Sequence, residues 1–452
     1  MPDTLITKEF IEDHRSDILP PCWVEREHSS QMRGNYQDLL FTPEELKKRT
    51  LDLLDSSKVI ACICSFLVHD AEIETAIENA ARRGVHVYIL LSSEAKKDKL
   101  ITDDDEFSKK TLEEFDDTIR RLSPITKIRS SSNFHSKFIV IDPHGKHPKG
   151  IILTSNLTTE ALAKNPEIGV PLSEAETREL YHHFRYGFFV SADKEVDDSG
   201  RHKNVIRRER SEFDLYDQNT SLSVTTENHT TIRQSLESLL EIKGGDITLF
   251  AYGFDPNHPV IEKIEDLLKS GRKVTVFTRP RKGSKNFLEA LIKLKNAGAE
   301  ILGVNGLHAK GLLVGSGAKA EGIIMTANFE KKGLDEGFET AVKLTPERIR
   351  ALQEIFKDWR NMAEYRFETG GKTGDIKGRI KIYLNGEERL EEISVKERYN
   401  CQLKRMHVKD KKEAETRKPN FPTNIGDAGQ KYHEIRYFWE VEISPPPKKS
   451  SK

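Results

Sequence analysis

The stretch "NFHSKFIVID" (133–142) decides the fold, because it returns in altered form as "GLHAKGLLVG" (306–315). Each copy ends in a short apolar run of the kind a buried strand requires. Each opens with a histidine and a lysine two positions apart, His135/Lys137 and His308/Lys310. Residues i and i+2 share one face of a strand, so both polar side chains point the same way at the strand's mouth.

A His-x-Lys pair alone says little, since three more occur at His144/Lys146, His147/Lys149 and His407/Lys409. The first two lie in a Gly/Pro turn, "DPHGKHPKG", and the third in charge-rich "LKRMHVKDKKEAE". Only His135 and His308 sit in a repeated context. Upstream, "KVIACICSFLVHDAEIETAIENAARRGVHVYILLS" (58–92) parallels "GDITLFAYGFDPNHPVIEKIEDLLKSGRKVTVFTR" (245–279). Each contains a β-rich run and then a helical pattern, carried by Ile73, Ile77 and Ala80 or by Ile261, Ile264 and Leu268. Gly84 and Gly271 follow as left-handed helix stops, and a second strand completes a β-α-β unit with a parallel, right-handed crossover. Downstream, "ILTSNLT" (152–158) answers "IMTANFE" (324–330), and "NPEIGVPL" (165–172) answers "GFETAVKL" (337–344). The intervals agree: His135 precedes Asn156 by 21 residues and His308 precedes Asn328 by 20, while Asn156–Glu167 and Asn328–Glu339 both span 11.

The chain is therefore an internal duplication, with halves at 58–190 and 236–366 and a polar linker at 191–235. Residues 1–57 are expected as an extension covering the first half, including a helix in "TPEELKKRTLDLLDSS" capped by Thr42. Past residue 370, "GRIKIYLNGEERLEEISV" suggests a β-hairpin turning at Asn385-Gly386. "KYHEIRYFWEVEI" (431–443) suggests a strand whose Tyr432, Tyr437, Phe438 and Trp439 pack on their own core. That gives a β-rich module over 370–443 and a flexible tail over 444–452.

Lys plus Arg total 72 against 73 Asp plus Glu, so no global charge points to nucleic acid or membrane. With 32% charged residues the chain is expected to be soluble. The start, "MPDTLITKEFIEDHRSD", lacks the apolar core of a signal peptide. "VIACICSFLV" (59–68) is half the ~20 residues a membrane span needs. Cys22, Cys62, Cys64 and Cys401 fit neither a disulfide framework nor a zinc knuckle, so reduced cysteines and a cytoplasmic location are expected.

Packed about a pseudo-twofold axis, the halves would place two histidines, two lysines, two Thr-x-Asn segments and two glutamates in one pocket. Lys137 and Lys310, with Thr154, Thr326, Asn156 and Asn328, would clamp a phosphoryl group. One imidazole would attack phosphorus while the other protonates the departing oxygen. Glu167 and Glu339 would fix the tautomer and orientation of the rings. No metal is needed where lysine supplies the charge, and no cofactor is expected.

These residues resemble the phospholipase D superfamily, marked by a duplicated H-x-K-x4-D motif and a G-S-x-N-like segment. His135-Ser-Lys137-Phe-Ile-Val-Ile-Asp142 is a complete first copy. His308-Ala-Lys310 begins the second, but Gly315 stands where the motif aspartate belongs, and Thr154 and Thr326 replace the usual serine. The resemblance implies an α/β fold: two pseudo-twofold-related α/β/α sandwich halves with mixed, mostly parallel sheets, plus the β-rich module. It also implies a phosphodiesterase working through a phosphohistidine, with His135 as nucleophile, His308 as general acid and a largely structural Asp142.

The family cuts nucleic acid, hydrolyses phospholipids or transfers phosphatidyl groups. A nuclease is expected here, because the chain lacks hydrophobic anchoring segments and carries the basic stretches "RHKNVIRRER" (201–210) and "RPRKGSK" (279–285). Arg279, Arg281, Lys282 and Lys285 follow a strand and could track a polynucleotide backbone. Nucleic acid, DNA ahead of RNA, is the expected partner, and an accompanying helicase or ATPase is left open. The alternatives carried forward are a hydrolase of lipid or other small phosphodiesters, and a non-catalytic nucleic-acid-binding subunit.

Overall fold

Each repeated unit folds as its periodicity requires. Strand Ile60–Cys64, helix Ala71–Arg82 and strand His86–Ser92 form the first β-α-β unit, with Ile60 opposite His86 in parallel register. Strand Ile247–Phe250, helix Pro259–Lys269 and strand Val274–Thr278 form the second, with Ile247 opposite Val274. The Asp70 carboxylate accepts the Glu72 and Ile73 N–H groups at one helix start, and His258 Nδ1 accepts the Val260 N–H at the other. Gly84 and Gly271 end these helices at φ +88° and +92°, in the left-handed region where a side chain is disfavoured. This computed structural model describes residues 21–29, 36–92, 109–206, 221–281, 285–369, 378–384, 402–408 and 437–443.

The first unit seeds an eight-stranded sheet running 202–204, 194–196, 127–131, 86–92, 60–64, 138–141, 149–153, 169–171. The second seeds a thirteen-stranded sheet running 229–230, 222–226, 339–343, 321–325, 311–314, 247–250, 274–278, 300–303, 365–368, 22–25, 378–384, 437–443, 402–408. The α/β class holds, but the mixed sheets are mostly antiparallel rather than mostly parallel. Among the described strands only five pairings run parallel, four of them flanking the two β-α-β units. The motif strands Phe138–Ile141 and Gly311–Val314 each join the next strand through a short turn, and a tight turn can only reverse direction.

The inner faces of the two sheets pack against each other through helices Glu174–Tyr186 and Pro346–Met362, in a core that includes Phe138, Phe184, Phe338, Phe356 and Trp359. The outer faces carry the remaining helices, such as Ala71–Arg82 on the first sheet and Pro259–Lys269 on the second. Ser173 and Thr345 cap the two inner helices, and three residues further on stand Glu176 and Arg348. These equivalent positions meet across the seam: Arg348 Nη1 and Nη2 donate to Glu176 Oε1 and Oε2 at 2.8 and 2.9 Å. Burial pulls the Glu176 carboxyl up, but hydrogen bonds from Arg348, the Ser173 backbone and Ser221 hold it down at about 2.

Segments outside the two repeats also join the sheets. The N-terminal extension divides between the halves. Its helix Pro43–Ser56, with Thr42 and Glu45 in a capping box, packs on the first half, while Cys22–Glu25 pairs antiparallel with Tyr365–Glu368 in the second sheet. The span 191–235 is more than a linker. Lys194–Val196 and His202–Asn204 extend the first sheet, Leu222–Thr226 pairs with Glu339–Lys343 in the second, and helix Thr231–Glu241 follows. Short β-branched runs such as "SVTT" suffice to dock on an available sheet edge. The C-terminal strands likewise extend the second sheet. Gly378–Leu384 pairs with Cys22–Val24 on one edge and Tyr437–Ile443 on the other. Asn385-Gly386, Tyr432 and the tail 444–452 lie outside the described residues.

Candidate active site

The duplicated residues converge on the seam. Backbone bonds tie the motif openings to the opposite half: His135 and Ser136 donate N–H to Phe338 O at 3.2 and 2.9 Å, and His308 donates to Pro166 O at 3.3 Å. The side chains cross in the same reciprocal way. His135 Nδ1 lies 2.7 Å from Glu339 Oε1, and His308 Nδ1 lies 2.7 Å from Glu167 Oε1. Each histidine is thus oriented by the glutamate of the other half.

The supporting bonds repeat almost atom for atom. Thr154 Oγ1 donates to Glu167 Oε2 at 2.5 Å, and Thr326 Oγ1 donates to Glu339 Oε2. Each threonine oxygen also accepts a backbone N–H, from Ile168 at 2.8 Å or Thr340 at 3.0 Å. Lys137 and Lys310 are fully buried, and each Nζ donates to the carbonyl of its own histidine at 2.5 Å. Lys310 Nζ also stands 2.9 Å from His308 Nε2. Burial pulls both glutamates up, yet the histidine and lysine beside each outweigh it, so Glu167 and Glu339 rest below their ordinary pKa. Both are therefore ionised at neutral pH. An ionised carboxylate on Nδ1 leaves Nε2 as the reactive nitrogen and favours the imidazolium when it forms.

Two duplicated residues have diverged in their bonding. Asn328 Oδ1 accepts the Gly253 N–H at 3.2 Å, whereas Asn156 Oδ1 is buried with no hydrogen-bond partner among the described residues. Asp142 does not contribute through the reaction pocket. Its carboxylate accepts the N–H groups of Lys58, Val59 and Ile60 at 2.9, 2.7 and 3.0 Å, anchoring the entry of strand Ile60–Cys64. Gly315 does without this clamp: Gly245 packs so close that a Cβ on it would come 2.7 Å from Gly315 Cα, and Gly315 N donates to Asp246 O at 2.8 Å.

The basic loop lies beside the second half of the site. Arg281 lays its guanidinium 3.6 Å from the Tyr252 ring centroid and 4.6 Å from that of Phe287, and donates to Tyr252 O at 2.9 Å. These contacts hold Arg281 against the loop that carries Tyr252. Arg279 is half-buried, Lys285 begins helix Lys285–Asn296, and Lys282 lies outside the described residues.

Several residues escaped the motif reading. Phe66 meets His135 edge-on at 5.6 Å and Tyr252 meets His308 at 5.2 Å. Both sit two residues past the first strand of their unit, so alignment of the repeats would have found them. His183 stacks on Phe338 at 4.0 Å and 5°, and burial pushes its pKa down to about 3, so it is neutral. It holds the backbone that receives His135, and no repeat signals it. Cys62 and Cys64 are free, buried thiols raised by desolvation. No cluster of three or more metal-ligating side chains occurs among the described residues.

Residues 50–188 match the family model described as cardiolipin synthase, PLD-like domain. By sequence, the first half is thus similar to a PLD-like domain. Phosphatidylserine synthase from Haemophilus influenzae Rd KW20 is structurally similar, with a TM-score of 0.52 at 11% identity over 82% of this chain and 93% of that one. That likeness concerns the fold. The polyphosphate kinase of Porphyromonas gingivalis aligns with a TM-score of 0.49 and 15% identity over 71% of this chain, which spans 46% of the kinase. Nuc from Salmonella typhimurium, a phospholipase D family member, aligns with a TM-score of 0.28 and 18% identity over 37% of this chain and 97% of its own. No curated protein sequence matches.

Proposed function

We propose that the chain is a phosphodiesterase acting through a covalent phosphohistidine, and that its substrate is nucleic acid. The reciprocal pairing of His135 with Glu339 and His308 with Glu167 carries the reading. His135 Nε2 attacks phosphorus, and the ester bond to the leaving oxygen breaks. His308, protonated on Nε2 and stabilised by Glu167, gives that oxygen its proton. His308 then takes a proton from water, the hydroxide displaces His135, and the P–N bond breaks. Lys137 and Lys310 offset the charge gathering on the phosphoryl oxygens.

The local basic stretches support a polynucleotide, and no helix among the described residues is long and apolar enough to cross a membrane. A lipid phosphodiester is the second reading, favoured by the family model that matches the first half. The test incubates the native chain in EDTA with single- and double-stranded DNA, with RNA and with phospholipid vesicles, beside His135→Ala. Metal-independent cleavage of nucleic acid that His135→Ala abolishes is the expected result. Turnover of vesicles alone would replace the substrate class, and binding without turnover would leave a nucleic-acid-binding subunit.

A further inference from the structure

The rims above the two dyads carry different charge. In the first half Val68–His69 pairs in parallel with Leu157–Thr158, and in the second the Phe254–Phe329 bridge repeats that pairing. Equivalence across the repeat then sets Glu330 where the first half has Thr158, and Gly253 where it has Leu67. Glu330 Oε1 occupies the space that a Cβ at Gly253 would take, so a side chain there would displace the carboxylate. Glu330 is thereby seated beside the loop that carries Tyr252, within electrostatic reach of Lys310 on the pocket floor and of Arg281. Among the described residues its carboxylate accepts no hydrogen bond, and burial, with Asp255 as a nearby like charge, holds its pKa above the ordinary value. A structural salt bridge would show the opposite shift. The space beside Gly253 is bordered by the Glu330 carboxylate and by Asn328 of the site, which places the charge next to the phosphoryl clamp.

We propose that Glu330 is a specificity-determining residue that admits phosphodiesters and rejects dianionic phosphate. The inference rests on the phosphodiesterase reading of the same site. A diester carries one charge, whereas a terminal monoester carries about −1.5 to −2 at neutral pH. A carboxylate on one wall discriminates against that second charge, the product of hydrolysis leaves readily, and monoesters are poor ligands.

Equilibrium binding of inorganic phosphate and of dimethyl phosphate, at a mildly alkaline pH, tests this without turnover. Glu330→Gln and Glu330→Thr should tighten phosphate binding about tenfold relative to dimethyl phosphate, whereas Glu330→Asp should keep the native ratio. Thermal melts confirm that the variants are folded. An unchanged ratio in Glu330→Gln, or equal tightening for both anions, overturns the role of Glu330 while leaving the phosphodiesterase reading intact. A native chain that binds neither anion removes both.

Discussion

In the first half an aspartate closes the motif strand and ties down three backbone N–H groups. In the second half a glycine stands there, and close packing against Gly245 does the work instead. The dyads beneath these supports did not diverge. The same lysine-to-carbonyl bond, threonine-to-glutamate bond and 2.7 Å histidine–glutamate contact occur on both sides. Each dyad is completed by the opposite half, so drift in either half that moved a glutamate would disable the other half's histidine. The strand supports carry no such mutual constraint, and two physical solutions coexist there.

Substitutions can break this comparison at descending levels. His135→Ala and His308→Ala should each lower turnover by about ten-thousandfold, the scale for removing one member of a nucleophile–acid set. A residual rate differing greatly between them would argue that one half dominates. Glu167→Gln and Glu339→Gln should each cost about a thousandfold in kcat, measured at saturating substrate, because the rings lose orientation and imidazolium stabilisation. Each should act through the histidine of the other half, so Glu167→Gln combined with His308→Ala should be little worse than His308→Ala alone.

Glu176→Gln should destabilise the fold by about 3 kcal/mol in denaturant titration, since it leaves buried Arg348 unpaired. The folded-state pKa of Glu176, about 2, lies below the ordinary carboxylate value of about 4.3. Its contribution is therefore present above about pH 4.3 and is lost as pH falls toward about 2. Native protein should lose stability across that window, and Glu176→Gln should lose correspondingly less. Asp142→Ala should cost about 2 kcal/mol by orphaning strand-entry N–H groups, with kcat falling far less than for either histidine. Gly315→Asp, which imports the family residue, should destabilise by about 1 kcal/mol because φ is +91° and the new Cβ would press on Ala320.

Much of the site was legible in the sequence because duplication is a signal that survives without relatives. Two copies of a spaced set singled out His135 and His308 from 15 histidines, and Gly84 and Gly271 marked helix ends that the structure shows. The rest depended on tertiary contact. The exchange of glutamates between halves cannot be deduced from a spacing of 11 residues that is equal in both. His183 acts by stacking on a distant Phe338 and carries no pattern of its own. The strand Cys22–Glu25 is too short to announce a partner more than three hundred residues away, and sheet direction follows from turns rather than from apolar periodicity.

The central claim, that two imidazoles 173 residues apart serve one phosphorus, is tested most directly by rapid quenching of a single turnover and peptide mass spectrometry. The account predicts a transient phosphoryl adduct on the peptide bearing His135, which persists when His308 is replaced by alanine and an activated leaving group is supplied. Sustained turnover with no adduct on either histidine at any quench time would contradict it.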